Sequence, residues 1–325
     1  MEKSKVEQLF QWLDDTTNTL HIEAPYLDKL AICMDTLLHG SPDDVLSDEV
    51  KEQLRASVAT INSDAFNAEH MRKAIQLAVL KGMRDSTQQQ HLITPETIAL
   101  IIGYLAEKLS QGKEQLTLFD PVCGTANLIT VVLDQLKADT IAYAGEVDPT
   151  LINVAVLNAN LQKREIEFFH QDSLQPMLLD PVDMVVADLP VGYYPDDVRA
   201  KNYELNSQEG HAYAHHLFIE QSLNYTKPAG YLIFIVPEFL FESDQAEQLQ
   251  TFIREHAHIV GMLGLPESAF RNKHNRKSIL ILQKKGEGTE APKQPLLVQL
   301  PSFKESKAMA SIMAQMNAWF QAYNE

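Results

Sequence analysis

QLTLFDPVCGTANLI, Gln115 to Ile129, is the stretch on which the fold turns. An apolar run closes on an acid, a short loop carries one glycine, and a helical pattern opens directly behind it. Similar short runs follow: TIAYAGE (140–146), IEFFH (166–170), VDMVVAD (182–188), YLIFIVP (231–237) and HIVGMLGL (258–265). Helical patterns lie between them, at roughly 127–137, 149–162, 212–226 and 243–255. Alternation of this kind implies an α/β fold: a mostly parallel sheet covered on both faces, with ligands bound at the carboxyl ends of the strands. The unusual residues of this sequence fall at those ends.

A dinucleotide-binding turn needs G-x-G-x-x-G, and Gly124 stands alone. A pyrophosphate cradle, and with it a nicotinamide-dependent dehydrogenase, is therefore poorly supported. Asp120 at the strand tip suits a ligand with positive charge, and Gly124 lets the backbone approach it closely. S-adenosylmethionine, with an ammonium and a sulfonium, is such a ligand. Glu146 in AGEVDP closes the next strand, where nucleotide-binding sheets hold ribose hydroxyls. Asp172 in HQDSL is placed to accept from an adenine amine. Each acid alone is more often a cap or turn residue; three at successive strand ends point to a shared ligand.

The rest of the chain sets bounds. Its 325 residues fit one main domain with an accessory segment, and 45% hydrophobic with 22% charged residues is ordinary for a globular protein. The start, MEKSKVEQLFQWLDD, lacks the layout of a signal peptide, and no apolar run approaches the ~20 residues a membrane span needs, so a cytoplasmic protein without membrane contact is expected. Cys33 and Cys123 build neither a disulfide framework nor a cysteine-rich zinc site, and no metal is expected. His215 and His216 have no second metal-like cluster after them and read as helix residues. The net charge of -17 repels polyanions at long range, so contact with nucleic acid requires a local basic patch.

Up to about residue 90 the spacing is helical: Val6, Leu9, Phe10 and Leu13; Leu27, Leu30, Ala31, Met34 and Leu38; Met71, Ile75, Ala78 and Val79. Ser41 before Pro42, Asp43 and Asp44 reads as a helix start. The expected division is a helical accessory domain over 1–90, a ligand-binding α/β domain over 91–290, and a tail over 291–325 whose Met and aromatic residues form a packing helix.

TPETIA (94–99), DPVCGTANLI, GEVDP, QDSL and DLPVGYYP occur in one order and spacing. In this they resemble the amino-group (N(6)-adenine) DNA methyltransferases, especially the modification subunits of type I restriction systems. LFIEQSLNYTKPAGYLIFIVPEFLF (217–241) and GLPESAFRNKHNRKSILILQKK (264–285) resemble the same family's later helix, strand and terminal hairpin, so the likeness covers about 90–285. DLPVGYYP and the short tail are most similar to YtxK-type bacterial methylase-like proteins. The resemblance implies a class I S-adenosylmethionine-dependent methyltransferase fold, a Rossmann-like mixed sheet of seven strands with a late antiparallel hairpin. It implies S-adenosylmethionine held by Thr94 and Pro95, by the loop from Asp120 through Cys123, Gly124 and Thr125 to Asn127, and by Glu146, Asp172 and Ser173.

In that family a strand ends in Asn/Asp-Pro-Pro-Tyr/Phe, whose acid or amide and a backbone carbonyl accept from the target amine while the aromatic ring stacks on an extruded base. Asp188 matches the first position and Pro190 the third, whereas Leu189 replaces a proline and Val191 stands at the aromatic position. Tyr193 or Tyr194 is left to supply the ring. Residues 254–285 hold seven Lys or Arg against two acids, densest in RNKHNRK, so Arg271, Lys273, Arg276 and Lys277 are the expected phosphate contacts on a hairpin turn. The expected activity is methyl transfer to an exocyclic amine, adenine N6 in DNA foremost, with sequence specificity supplied by a protein partner or absent. The alternatives are an RNA, protein or small-molecule acceptor, and an adaptor that binds the cofactor without turnover.

Overall fold

The computed structural model describes residues 4–84, 93–270 and 275–324. The chain opens with α1 (Lys5–Thr19), α2 (Tyr26–His39), α3 (Asp48–Val58) and α4 (Ala68–Arg84). Ser4 and Glu7 form a reciprocal cap at the start of α1, which satisfies two backbone donors that the helix leaves free. Leu9 and Leu13 of α1, Leu30 and Met34 of α2, and Ile75 and Val79 of α4 bury against one another, as their spacing predicts. The helix start read at Ser41 is displaced. Ser47 caps α3 instead, accepting from Val50 N, because Asp48 and Glu49 then fill the first turn and Val50 and Leu54 both face inward.

The second part runs α5 (Glu96–Leu109), β1 (Gln115–Asp120), α6 (Asn127–Gln135), β2 (Asp139–Glu146), α7 (Pro149–Leu161), β3 (Ile166–His170), β4 (Val182–Asp188) and α8 (Asp197–Ala200). It continues through α9 (Ala214–Asn224), β5 (Thr226–Pro237), α10 (Ala246–His256), β6 (Ala257–Gly264), β7 (Lys277–Lys284), β8 (Leu296–Gln299) and α11 (Ser306–Tyr323). The sheet order is β3-β2-β1-β4-β5-β7-β6-β8. β7 runs antiparallel to both β5 and β6, and the other pairings are parallel.

Alternate residues of the central strands serve opposite faces. Leu118, Met184, Val186, Ile233 and Ile235 pack under α5, α6 and α11, while Phe119, Val185, Leu232 and Phe234 pack under α9 and α10. This is the class I methyltransferase architecture, with one correction. Among the described residues the sheet has eight strands, because LLVQ adds β8 beyond the expected seven. It can dock because β6 offers Gly261 there: a Cβ at that position would lie 2.8 Å from the Leu296 carbonyl oxygen. α11 then lays Met316 and Phe320 into the core above the sheet, so the segment after residue 290 forms a layer of the same domain.

Candidate active site

The parallel neighbours β3, β2, β1 and β4 bring four acids to one edge of the sheet. Glu146, Asp120 and Asp188 are the last residues of β2, β1 and β4, and Asp172 follows the end of β3 by two residues. Asp120 is only 1% exposed and accepts from Val122 N at 3.1 Å. Burial pushes its pKa well above the carboxylate range, and the charges of Glu146 and Asp188 push it the same way. Glu146 is held by three backbone donors: Gly124 N at 3.0 Å on one oxygen, Val147 N at 2.8 Å and Asp148 N at 2.9 Å on the other.

That grip ties the glycine loop to the end of β2. Cys123 N donates to the Gly145 carbonyl at 2.9 Å, and Gly145 admits no side chain, since a Cβ would lie 2.3 Å from Ser173 Oγ. Gly124 (φ 56°) and Ala126 (φ 61°) both take the left-handed conformation, which is costly for alanine and turns the chain into α6. Asn127 Nδ2 donates to the Thr94 carbonyl at 2.7 Å, and Asn158 Nδ2 of α7 donates to that of Thr125 at 2.8 Å. The Thr94–Pro95 segment, the loop and α7 are thus one connected unit. Burial, with Asp120 and Glu146 nearby, raises the Cys123 thiol, which therefore stays protonated and structural.

These residues fit S-adenosylmethionine. The space beside Gly124 is open, Ser173 Oγ is buried without a hydrogen-bond partner, and Glu146 and Asp172 carry carboxylate acceptors. Asp172 is itself oriented by Leu174 N at 2.9 Å and by the Tyr194 hydroxyl.

Asp188 takes two donors. Thr94 Oγ1 donates to one oxygen at 3.0 Å and Lys277 Nζ to the other at 2.5 Å. Leu189 is fully buried among Phe234 and Leu240, and its N–H donates to the Ile235 carbonyl at 3.0 Å, so the leucine serves as a core residue where the family carries proline. Beyond Pro190 the chain turns at Gly192 (φ 128°). The two tyrosines then part: Tyr194 is buried on Asp172, and Tyr193 is 57% exposed and stacks on Tyr213 with centroids 4.8 Å apart. Tyr213 rests on His215 and His216, buried in α9 and neutral, their pKa values pushed down by burial to about 3 and about 4.

The basic hairpin, where it is described, is paired within the chain. Arg271 and Lys273 lie outside the described residues. Arg276 pairs with Glu267 at 2.5 Å and Glu238 at 3.9 Å, and Lys277 pairs with Asp188, so both described cations face carboxylates of their own chain. Sequence reasoning missed Lys277 as a neighbour of Asp188, and missed Tyr213 altogether. The register contains the signal for Lys277: it stands opposite Pro237 of β5, and Asp188 stands opposite Ile235 of the same strand. A lysine stem bridges that gap.

Among the described residues no three His, Cys, Asp or Glu side chains group to hold a metal ion, and no helix is long and apolar enough to cross a membrane. A groove of about 730 Å³ between the 204–209 loop and α10 is not lined by any of the strand-end acids.

Comparison with known proteins agrees with this geometry. The chain is 44% identical over 326 residues to the uncharacterized protein YtxK of Bacillus subtilis (strain 168), covering 99% of each chain. A candidate class I S-adenosylmethionine-dependent methyltransferase from Listeria monocytogenes is 42% identical, superposes with a TM-score of 0.91, and matches 97% of this chain and 99% of its own. The methyltransferase subunit of a type I restriction-modification system from Streptococcus thermophilus shares the fold at 15% identity and a TM-score of 0.64, over 96% of this chain and 73% of that one. Residues 7–83 match the YtxK N-terminal helical domain and residues 83–318 the N-6 DNA methylase model. With its four strand-end acids, its single-glycine loop and these matches over nearly its whole length, the chain belongs to the N-6 DNA methylase family of S-adenosylmethionine-dependent methyltransferases.

Proposed function

We propose that the protein methylates the exocyclic N6 amine of adenine in DNA. The observation that carries this reading is the pairing of Asp188, at the tip of β4, with an exposed Tyr193–Tyr213 stack beyond the Pro190 turn. S-adenosylmethionine, when bound, would supply an activated methyl group: an N–C bond forms from the amine lone pair as the C–S bond breaks, neutral S-adenosylhomocysteine leaves, and the amine proton passes to solvent. Glu146 and Asp172 would accept from the nucleoside part of the cofactor, and the Gly124 loop would hold it. Asp188 accepts from the target N–H and aims the nitrogen lone pair. The tyrosine stack offers a π-face to a base drawn out of the duplex. The match to an N-6 DNA methylase model and the likeness to a restriction-modification methyltransferase support DNA as acceptor. Because the net charge of -17 opposes DNA at long range, the proposal includes a protein partner that brings the duplex and supplies sequence specificity.

A second reading, a cofactor-binding adaptor without turnover, is favoured by the ammonium already seated on Asp188. Tritiated methyl incorporation into unmethylated DNA separates the two. Wild type should incorporate label, Asp188→Ala should lose on the order of a hundredfold in rate at preserved melting temperature, and Asp188→Asn, which keeps one carbonyl acceptor, should retain more. Label entering RNA, protein or a small molecule and not DNA would move the acceptor; no label in any of them would leave the adaptor.

A further inference from the structure

Lys277 has no part in the transfer just described, yet its ammonium lies on the carboxylate that the transfer needs. Nζ is 2.5 Å from Asp188 Oδ1, Thr94 Oγ1 holds Oδ2 at 3.0 Å, and the side chains of Lys277 and Asp188 are each only 16% exposed. An ammonium donates to a carboxylate as an exocyclic amine does, and a charge-assisted bond is the stronger of the two. The position is built into the fold. Lys277 is the first residue of β7, fixed in register against Pro237, and Arg276 beside it is turned away onto Glu267 and Glu238. A lysine suits such a place, since a compact charge on a flexible four-carbon stem can leave it without moving the strand.

We propose that Lys277 is the internal occupant of the acceptor-amine position. It neutralises Asp188 and closes the carboxylate to stray N–H donors until an acceptor amine displaces it. The displaced ammonium then faces the acceptor, which suits an amine carried on an anionic chain such as nucleic acid. Lys277 is on this account a positioning and specificity-determining residue. The inference rests on the reading that Asp188 faces the methyl centre.

Occupancy has a consequence that needs no acceptor. The Lys277–Asp188 pair is neutral toward a bound sulfonium. A lone Asp188 attracts the sulfonium, and a lone Lys277 repels it. S-adenosylhomocysteine has a neutral sulfur and is indifferent to either. Calorimetry should therefore measure the ratio of dissociation constants for S-adenosylmethionine and S-adenosylhomocysteine in wild type, Lys277→Met, Asp188→Asn and the double variant. Lys277→Met should shift the ratio about tenfold toward S-adenosylmethionine, Asp188→Asn about tenfold the other way, and the double variant should return near wild type, as one unit charge at partly screened range requires. A merely structural role would weaken both ligands alike and leave the ratio fixed. If Asp188→Asn moves the ratio and Lys277→Met does not, the occupancy is overturned while Asp188 keeps its place. If neither variant moves it, the reading of Asp188 falls as well.

Discussion

A carboxyl group that is 1% exposed at the end of β1 costs stability whenever it ionises, and Asp120 is that group. Burial is the first cause of its raised pKa, so the folded protein holds the proton to higher pH than the unfolded chain does. Folded stability therefore falls as pH rises from the unfolded carboxylate range toward the folded value, and the loss is complete above it. Asp120→Asn keeps an oxygen for Val122 N and removes the charge, so its melting temperature should exceed wild type by more at pH 7.5 than at pH 4. S-adenosylmethionine binding should weaken at the same time, the trade expected where a destabilised group serves a ligand. Thermal scans at the two pH values, with calorimetry beside them, check both; an equal gain at both pH values would mean that Asp120 is not the titrating group. The location of Asp120, Glu146 and Asp188 was legible in the sequence, because each ends an apolar run and an acid at that point closes a strand. The Lys277 contact was not. It joins residues 89 apart in sequence across an intervening strand, and a lysine among other cations reads as solvent-facing until the register is known.

The elements follow the same division between local and distant causes. β1, β3 and β4 occupy 115–120, 166–170 and 182–188 as read from their apolar runs. β8 escaped, since its four residues follow a proline in polar sequence and form a strand only because Gly261 gives them an edge. α9 shows the energetic side. All its residues but the last are buried, His215 and His216 in the first turn among them, and both ring nitrogens of His216 lack a partner. Their folded pKa values, about 3 and about 4, lie below the ordinary value of 6.5. Below pH 6.5 the unfolded chain takes up protons that the folded one refuses, so stability is full above that pH and declines as pH falls. Between pH 7 and 5 each histidine should cost about 2 kcal/mol. The raised carboxyl of Glu220 on the same helix, likewise shifted first by burial, works in the opposite direction and softens the decline. Urea unfolding at pH 7, 6 and 5 should show the slope roughly halved in His216→Leu; an unchanged slope would assign the acid sensitivity to other groups.

At the scale of the whole molecule, the question is why a methyltransferase sheet carries a helical layer at all. The layer packs on α7: Leu30, Met34 and Ile75 share one apolar cluster with Val154, Leu157 and Leu161, and Thr150 Oγ1 donates to Asp28 at 2.7 Å. α7 in turn is capped by Asp148, which donates its N–H to Glu146, and carries Asn158, which holds the glycine loop. Arg72 of α4 fastens the same junction from the other side. It is 5% exposed and pairs with Glu96 of α5 and with Asp134 of α6, and Asp134 also receives Arg164. The helical layer thus buttresses the element that positions the cofactor loop, although it contributes none of the strand-end acids. Since the apolar cluster spans both parts, calorimetry should show one unfolding transition. Arg72→Met leaves Asp134 and Glu96 short of a buried partner and should cost about 3 kcal/mol, with the transition still single. S-adenosylmethionine should bind more weakly to Leu157→Ala, which opens a cavity beneath α7, even though residue 157 is no part of the site. A separate early transition for the helical layer, or unchanged affinity in Leu157→Ala despite its lowered stability, would show the layer to be a passenger on the sheet.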